Sequence, residues 1–320
     1  MFMERIKLIE NPSELGAGTR GASLGIDAMK IASIKSGSKF FAKYPRIALE
    51  DNNILLYSEV TSDHAKRINE IISVYERVSN AVVDTIKKGD YPIVLSGDHS
   101  SAGGTIAGIK MAHPDKRLGV IWIDAHADLH SPYTSPTGNI HGMPLSTALN
   151  SDNRGHGVKE ISAELAAQWN KLKNIGGIAP KINPEDLVFV GVRDTEDPEA
   201  FYIAENKVKT IDVEVVRRTG TRIISEEILA YLKPCEIIYI SFDVDSMDCD
   251  LVSYGTGTPV PNGLTEQEAS GLINNLLIDK RVACLEVVEI NPCLDNKQNK
   301  MAETAFRVLE SAATIIEKRG

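Results

Sequence analysis

Leu118-Gly119-Val120-Ile121-Trp122-Ile123-Asp124-Ala125-His126-Ala127-Asp128-Leu129-His130 carries the two signals that decide the fold. An uninterrupted apolar run ends abruptly in acids and imidazoles. A run that is apolar throughout, with no alternation, is the pattern of a strand covered on both faces. The same arrangement recurs along the chain. Residues 92–96 lead into Gly97-Asp98-His99-Ser100, and residues 187–192 into Arg193-Asp194-Thr195-Glu196. Residues 236–242 run directly into Asp243-Val244-Asp245, and a strand over 283–290 contains Glu289. Amphipathic helical patterns fill the intervals, at about 63–88, 100–112, 160–174, 222–232, 265–278 and 300–318. Asp63 is expected to cap the first of these, and Thr265 with Glu268 matches a capping box. Buried strands alternating with helices predict an α/β fold. The expectation is a single domain over residues 1–320, with a doubly wound, mainly parallel sheet and helices on both faces. A closed barrel would share the alternation.

Composition agrees. The chain has 320 residues, 42% hydrophobic and 25% charged, enough apolar mass for a large core and unlike a disordered or collagen-like chain. No apolar run nears the roughly 18 residues of a membrane span, and residues 1–5 lack a signal peptide's apolar region. A cytoplasmic location is expected. Thirty-five basic against 44 acidic residues leave a net charge of −9, which argues against nucleic acid or an anionic membrane as partner. The four cysteines, Cys235, Cys249, Cys284 and Cys293, form no C-x-x-C pair and are expected to be reduced and structural.

Function is written at the strand ends. In open α/β sheets ligands bind beyond the carboxyl ends of the strands. Five of the seven histidines (99, 113, 126, 130 and 141) fall in one short stretch of chain. In extended backbone, residues i, i+2 and i+4 project to one side, so D-x-H-x-D turns Asp124, His126 and Asp128 toward one point, and D-x-D does the same for Asp243 and Asp245. Crowded carboxylates repel and raise one another's pKa. Two divalent cations would cancel four aspartate charges, with His99 and His126 completing the coordination. Oxygen-rich ligation with two imidazoles and no thiolate suits manganese better than structural zinc, although zinc, iron, cobalt or nickel could enter. Each fragment alone also reads as a turn, a helix cap or a core histidine, but no cap requires four aspartates to converge.

From about Asp90 to Pro292 these residues, in this order, resemble the arginase/agmatinase family of manganese ureohydrolases. The likeness rests on Gly97-Asp98-His99-Ser100, Asp124-Ala125-His126-Ala127-Asp128, His141-Gly142-Met143-Pro144, Ser241-Phe242-Asp243-Val244-Asp245, Gly257-Thr258-Pro259-Val260, Gly263-Leu264-Thr265 and Glu289. Gly16-Ala17-Gly18-Thr19-Arg20-Gly21 is similar to the glycine-rich loop after the family's first strand and is read as structural.

The resemblance implies two Mn2+ per subunit, one on His99, Asp124, Asp128 and Asp243, the other on Asp124, His126, Asp243 and Asp245. Asp124 and Asp243 would bridge them, together with a hydroxide that Asp128 orients. His141 matches the proton-shuttling histidine and Glu289 the glutamate that pairs with the substrate's guanidinium; as plain residues they also suit a loop histidine and a strand-end acid. The implied reaction converts L-arginine to L-ornithine and urea. Thr137-Gly138-Asn139 resembles the arginase loop that holds the α-carboxylate, and Thr258 belongs to the expected substrate-binding set. Glu196, with Glu199, resembles the segment that holds the α-ammonium, although acids before Asp197-Pro198 also suit a helix start. There are departures. His130 stands where arginases usually place asparagine, and Glu196 replaces an aspartate. Cys249 replaces a proline and Ser96 a glycine. The runners-up are a formimidoylglutamase, agmatinase or guanidino-acid hydrolase, or a metal-binding relative without turnover. A binuclear phosphoesterase is disfavoured because no arginine or lysine clamp stands near these motifs. A homo-oligomer, trimer or hexamer, is implied by resemblance only.

Overall fold

The computed structural model describes residues 5–60, 62–155, 157 and 159–319. Eight strands make one sheet: β1 (Arg5–Asn11), β2 (Arg46–Ala48), β3 (Asp90–Ser96), β4 (Leu118–Ile123), β5 (Leu187–Val190), β6 (Lys209–Ile211), β7 (Ile237–Asp243) and β8 (Val282–Val288). Their order is β2-β1-β3-β8-β7-β4-β5-β6, and every pairing is parallel. The edges β2 and β6 do not meet, so the sheet is open and not a barrel.

Alternation along each strand builds two cores. Ile121 and Ile123 of β4, with Ile238, Ile240 and Phe242 of β7, face the helices Gly25–Lys35, Thr221–Tyr231, Glu266–Leu277 and Lys300–Lys318. Val120 and Trp122 of β4, with Tyr239 of β7, face the helices Ile68–Lys87, Ala102–Ala112 and Ala163–Lys173. The expected α/β sheet with helices on both faces is therefore present. Gly103 and Gly104 let the helix Ala102–Ala112 sit against its neighbour Ile68–Lys87: a Cβ at Gly103 would meet the Tyr75 ring at 2.3–2.4 Å. Close packing there fixes the turn just before that helix, which carries His99.

Several boundaries differ from the sequence reading. The capping box of Thr265 and Glu268 forms as expected. Asp63 caps nothing, because the helix begins at Ile68 with left-handed Arg67 at its N-terminus. The strand expected through Val192 ends at Val190, where Gly191 has φ +87°. Glu289 lies just past β8 and not within it. Among the described residues no helix is long and apolar enough to cross a membrane. Cys235, Cys249 and Cys284 are buried free thiols, and Cys293 is exposed.

Candidate metal centre

The four central strands, β3-β8-β7-β4, deliver the candidate residues to one edge. His99 sits in a short turn after β3, Asp124 follows β4 and Asp243 ends β7. The convergence expected from extended spacing does occur, but by another route. Asp128 has φ +50° in an irregular loop, and Asp245 lies in a tight 3-10 turn. The chain turns immediately beyond the strands, so the pleat cannot be what aims these side chains.

His99 Nδ1 lies 3.0 Å from Asp124 Oδ2, 3.1 Å from Asp128 Oδ2 and 3.1 Å from Asp243 Oδ2. His126 Nδ1 lies 3.1 Å from Asp245 Oδ2 and 3.6 Å from Asp124 Oδ1. Two ligand triads result, His99/Asp124/Asp128 and Asp124/His126/Asp245, and Asp124 is common to both. His99 Nδ1 and Asp124 Oδ2 are fully buried without a hydrogen-bond partner. Buried polar atoms left unpaired are costly, and a cation between them removes the cost. The donor set therefore fits a pair of divalent ions.

Electrostatics agree. Burial, reinforced by neighbouring carboxylates, pushes Asp128 and Asp243 above the usual carboxylate range, the latter far above it. Burial would raise Asp124 as well, but the neighbouring His126 and His99 imidazoles pull it down. Burial would likewise lower both imidazoles, yet the surrounding carboxylates hold them well above their ordinary value. Such a cluster trades protons for metal charge. Around it, His99 Nε2 lies 2.7 Å from Ser241 Oγ; an Nε2–H donating there leaves Nδ1 free for a metal. The His99 ring stacks on Trp122 at 4.1 Å. Sequence reading assigned no role to Ser241 beyond its place in a motif, although a strand hydroxyl two residues before Asp243 is the available signal.

A cleft of about 210 Å³ opens above this floor. It is lined by His99, His126, Asp128, His130, Thr137, Asn139, His141, Glu196, Glu199, Asp243, Asp245, Thr258 and Glu289, so every expected site residue except buried Asp124 reaches it. His113 does not; it ends the helix Ala102–Ala112. His141 Nδ1 lies 3.3 Å from Glu289 Oε1. Burial alone would lower His141, but this bond and the charge of Glu289 raise it to about 9. Glu289 Oε1 also accepts the His99 backbone N–H at 2.8 Å, and its φ is +66°. Left-handed backbone at the non-glycine residues Asp128 and Glu289 costs about 1–3 kcal/mol each and is sustained by its surroundings. Thr258 Oγ1 donates to Asp245 Oδ2 at 3.1 Å.

The glycine-rich loop packs on the site: Gly16 N–H donates to Asp98 Oδ2 at 2.8 Å, and His141 N–H donates to the Gly16 carbonyl at 3.1 Å. Gly138, at φ +71°, is needed because a Cβ would collide with the Asp63 carbonyl at 1.9 Å. Arg193, which sequence reading left unassigned, donates to the carbonyls of Gly191, Asp245, Val260 and Pro261, stapling three loops of the rim.

At the mouth, His130 Nε2 hydrogen-bonds Glu196, and its Nδ1 lies 3.3 Å from Thr134 Oγ1. Two side chains expected to face substrate therefore face each other. Glu199 is 4% exposed; its carboxylate accepts the N–H groups of Leu129 at 3.0 Å and Glu196 at 3.2 Å. Glu196 and Glu199 form a capping box for the helix Asp197–Asn206.

Comparisons with known proteins agree with this geometry. The profile of the Arginase family matches residues 4–314. Arginase of Bacillus subtilis is 36% identical over 307 residues, covering 96% of each chain. The native structure of arginase from Bacillus caldovelox superposes with a TM-score of 0.79 at 34% identity, over 97% of this chain and 98% of that one. The structure of Entamoeba histolytica arginase in complex with L-ornithine gives 0.81 at 26% identity, over 98% and 99%.

Proposed function

The chain belongs to the arginase family, and from that premise we propose that it hydrolyses L-arginine to L-ornithine and urea with two manganese ions per subunit. The observation that carries this reading is the pair of buried His/Asp triads sharing Asp124 at the floor of a single cleft. One ion would be held by His99, Asp124, Asp128 and Asp243, the other by Asp124, His126, Asp243 and Asp245. Two divalent ions so held would activate water as a nucleophile at neutral pH and set positive charge against the developing transition state.

The chain's own residues supply the rest. Asp128, at the cleft wall, would accept a hydrogen bond from the attacking water and fix its direction at the guanidinium carbon. Glu289 would accept guanidinium N–H groups and hold that carbon in place. As the new C–O bond forms, the departing nitrogen needs a proton before the C–N bond can break. His141, kept protonated through neutral pH by Glu289, is positioned to give it. The products are urea and a free amine. Thr137 and Asn139 stand on the cleft wall where an α-carboxylate would be held. By the same resemblance the enzyme would be a cytoplasmic homo-oligomer.

One observation favours a second reading. His130 and Glu196 already satisfy each other, which suits a guanidino compound lacking an α-ammonium group. The test is urea release by Mn-reconstituted protein offered L-arginine, agmatine and guanidinobutyrate in parallel, with ammonia and formamide release from formimidoylglutamate followed separately. Turnover of arginine alone supports the first reading, and preference for another compound replaces it. Two bound ions with no turnover of any of the four would refute the enzyme assignment.

A further inference from the structure

On the opposite edge of the sheet from the metal centre, at the start of β4, a second cavity of about 220 Å³ is lined by Lys110, Lys116, Arg117 and Lys181 with Asp115 and Asp186. Lys110 is 8% exposed and Lys181 only 4%. A buried ammonium is costly unless an anion pairs with it. Arg117 has such partners: its guanidinium bonds Asp186 at 2.7 Å and Glu185 at 3.2 Å. Among the described residues neither lysine has a carboxylate at ion-pair distance, although the charges of Asp115 and Glu236 act on Lys110 from farther off. Lys110 Nζ donates to the carbonyls of Pro114 and Lys116, and Lys181 Nζ donates to the carbonyl of Lys173. Each ammonium carries three donors, so among the described residues one N–H of Lys110 and two of Lys181 have no protein acceptor.

We propose that this cavity is a binding site for a small dianionic oxyanion of the sulfate or phosphate kind, held between the ammonium groups of Lys110 and Lys181. Two buried cations match a dianion. The volume lies below the roughly 300–1,000 Å³ of pockets for larger organic ligands, which selects a small ion. The helix end at Lys173 supplies Lys181 with a carbonyl, but a backbone dipole is only a fraction of a charge and falls short of neutralising two ammoniums. The state of Lys181 is consistent: burial alone, with no anion opposing it, pulls its amine down to about 8. An anion beside it restores the proton and removes the nucleophilic lone pair.

The experiment follows acylation of Lys181 in the Mn-loaded protein by a small anhydride at pH 8, read by peptide mass spectrometry. Sulfate is the probe, because it stays dianionic and leaves manganese in solution; chloride at equal ionic strength is the reference. Sulfate should slow labelling of Lys181 about fivefold or more and leave exposed Lys233 unchanged. Protection should vanish in Lys110→Met and persist in Lys110→Arg, with arginine hydrolysis or metal content reporting that each variant is folded. Equal labelling in sulfate and chloride overturns the proposal. So does protection that survives Lys110→Met. Phosphate protecting the metal-free protein where sulfate does not would also overturn it, since both anions satisfy the same chemistry.

Discussion

Glu199 offers the sharpest test of how the cleft is held, because one buried carboxylate supports two segments of its wall. Its oxygens accept the N–H groups of Leu129 and Glu196, and Leu129 follows Asp128, whose φ is +50°. Glu199→Ala strands two N–H groups at roughly 1–2 kcal/mol each and removes half of a capping box, so the loss should total about 2–4 kcal/mol. Unfolding entropy scales with length, and for 320 residues each kcal/mol is about 1.5 °C. A fall in Tm of roughly 3–6 °C is therefore expected by calorimetry. Asp128, released from its strained conformation, should also bind metal more weakly, which isothermal titration with Mn2+ would read. The pH dependence has a definite sign. Burial raises Glu199 from 4.5 to about 7, so between those values the folded protein holds a proton that the unfolded chain has lost. Stability from this group must fall as pH rises through that window and level off above it. Glu199→Gln keeps one acceptor and has no such titration, so the Tm difference between wild type and variant should shift against wild type from pH 4.5 to 7. A Glu199→Ala protein with Tm within 1 °C of wild type and unchanged Mn2+ affinity would refute the reasoning.

Three further outcomes follow from the floor of the site. Asp124 belongs to both triads, so Asp124→Ala should leave close to no bound manganese by elemental analysis, whereas Asp245→Ala should lose one ion of the two. Loss of a single ion in Asp124→Ala would mean that the carboxylate is not shared. His141→Ala removes the proposed proton donor and none of the proposed metal ligands, so kcat should fall by about a hundredfold to ten-thousandfold at unchanged metal content. Ser241→Ala frees the His99 ring from its only hydrogen bond on Nε2, and Mn2+ affinity should drop about 10- to 100-fold in a competition titration with a chelator. An unchanged affinity would show that stacking on Trp122 alone orients the ring.

The legible parts of the molecule were those where one signal ends and another begins on the same few residues. Trp122-Ile123-Asp124 is such a place: full burial demands apolar side chains up to the edge of the sheet, and the ligands must start there. The sheet's flanks lack that contrast. In Arg5–Asn11 charged and apolar residues are mixed, and β2 and β6 have three residues each, too few for periodicity. Backbone conformation was equally hidden. Asp128 and Glu289 adopt positive φ although neither is glycine or asparagine, because tertiary contacts hold them there. The pairing of His130 with Glu196 joins side chains 66 residues apart through the placement of two loops, which no local pattern encodes.

That pairing also marks a difference in cost between the floor and the mouth of the cleft. At the floor, Asp124 and Asp243 are 1% and 2% exposed and stand at the ends of strands with neighbours on both sides. Removing Asp124 leaves the buried His99 and His126 imidazoles without the counter-charge they share, a loss of about 3–5 kcal/mol. At the mouth, Glu196 is 56% exposed and its carboxylate is open to solvent, although the His130 ring it bonds is only 8% exposed. An ion pair of that kind contributes about 0–1 kcal/mol. Substitution of exposed Glu196 is therefore nearly free for the fold, while loss of buried Glu199 beside it, or of Asp124 at the floor, is not. A change at Glu196 can therefore alter the mouth of the cleft without disturbing its floor.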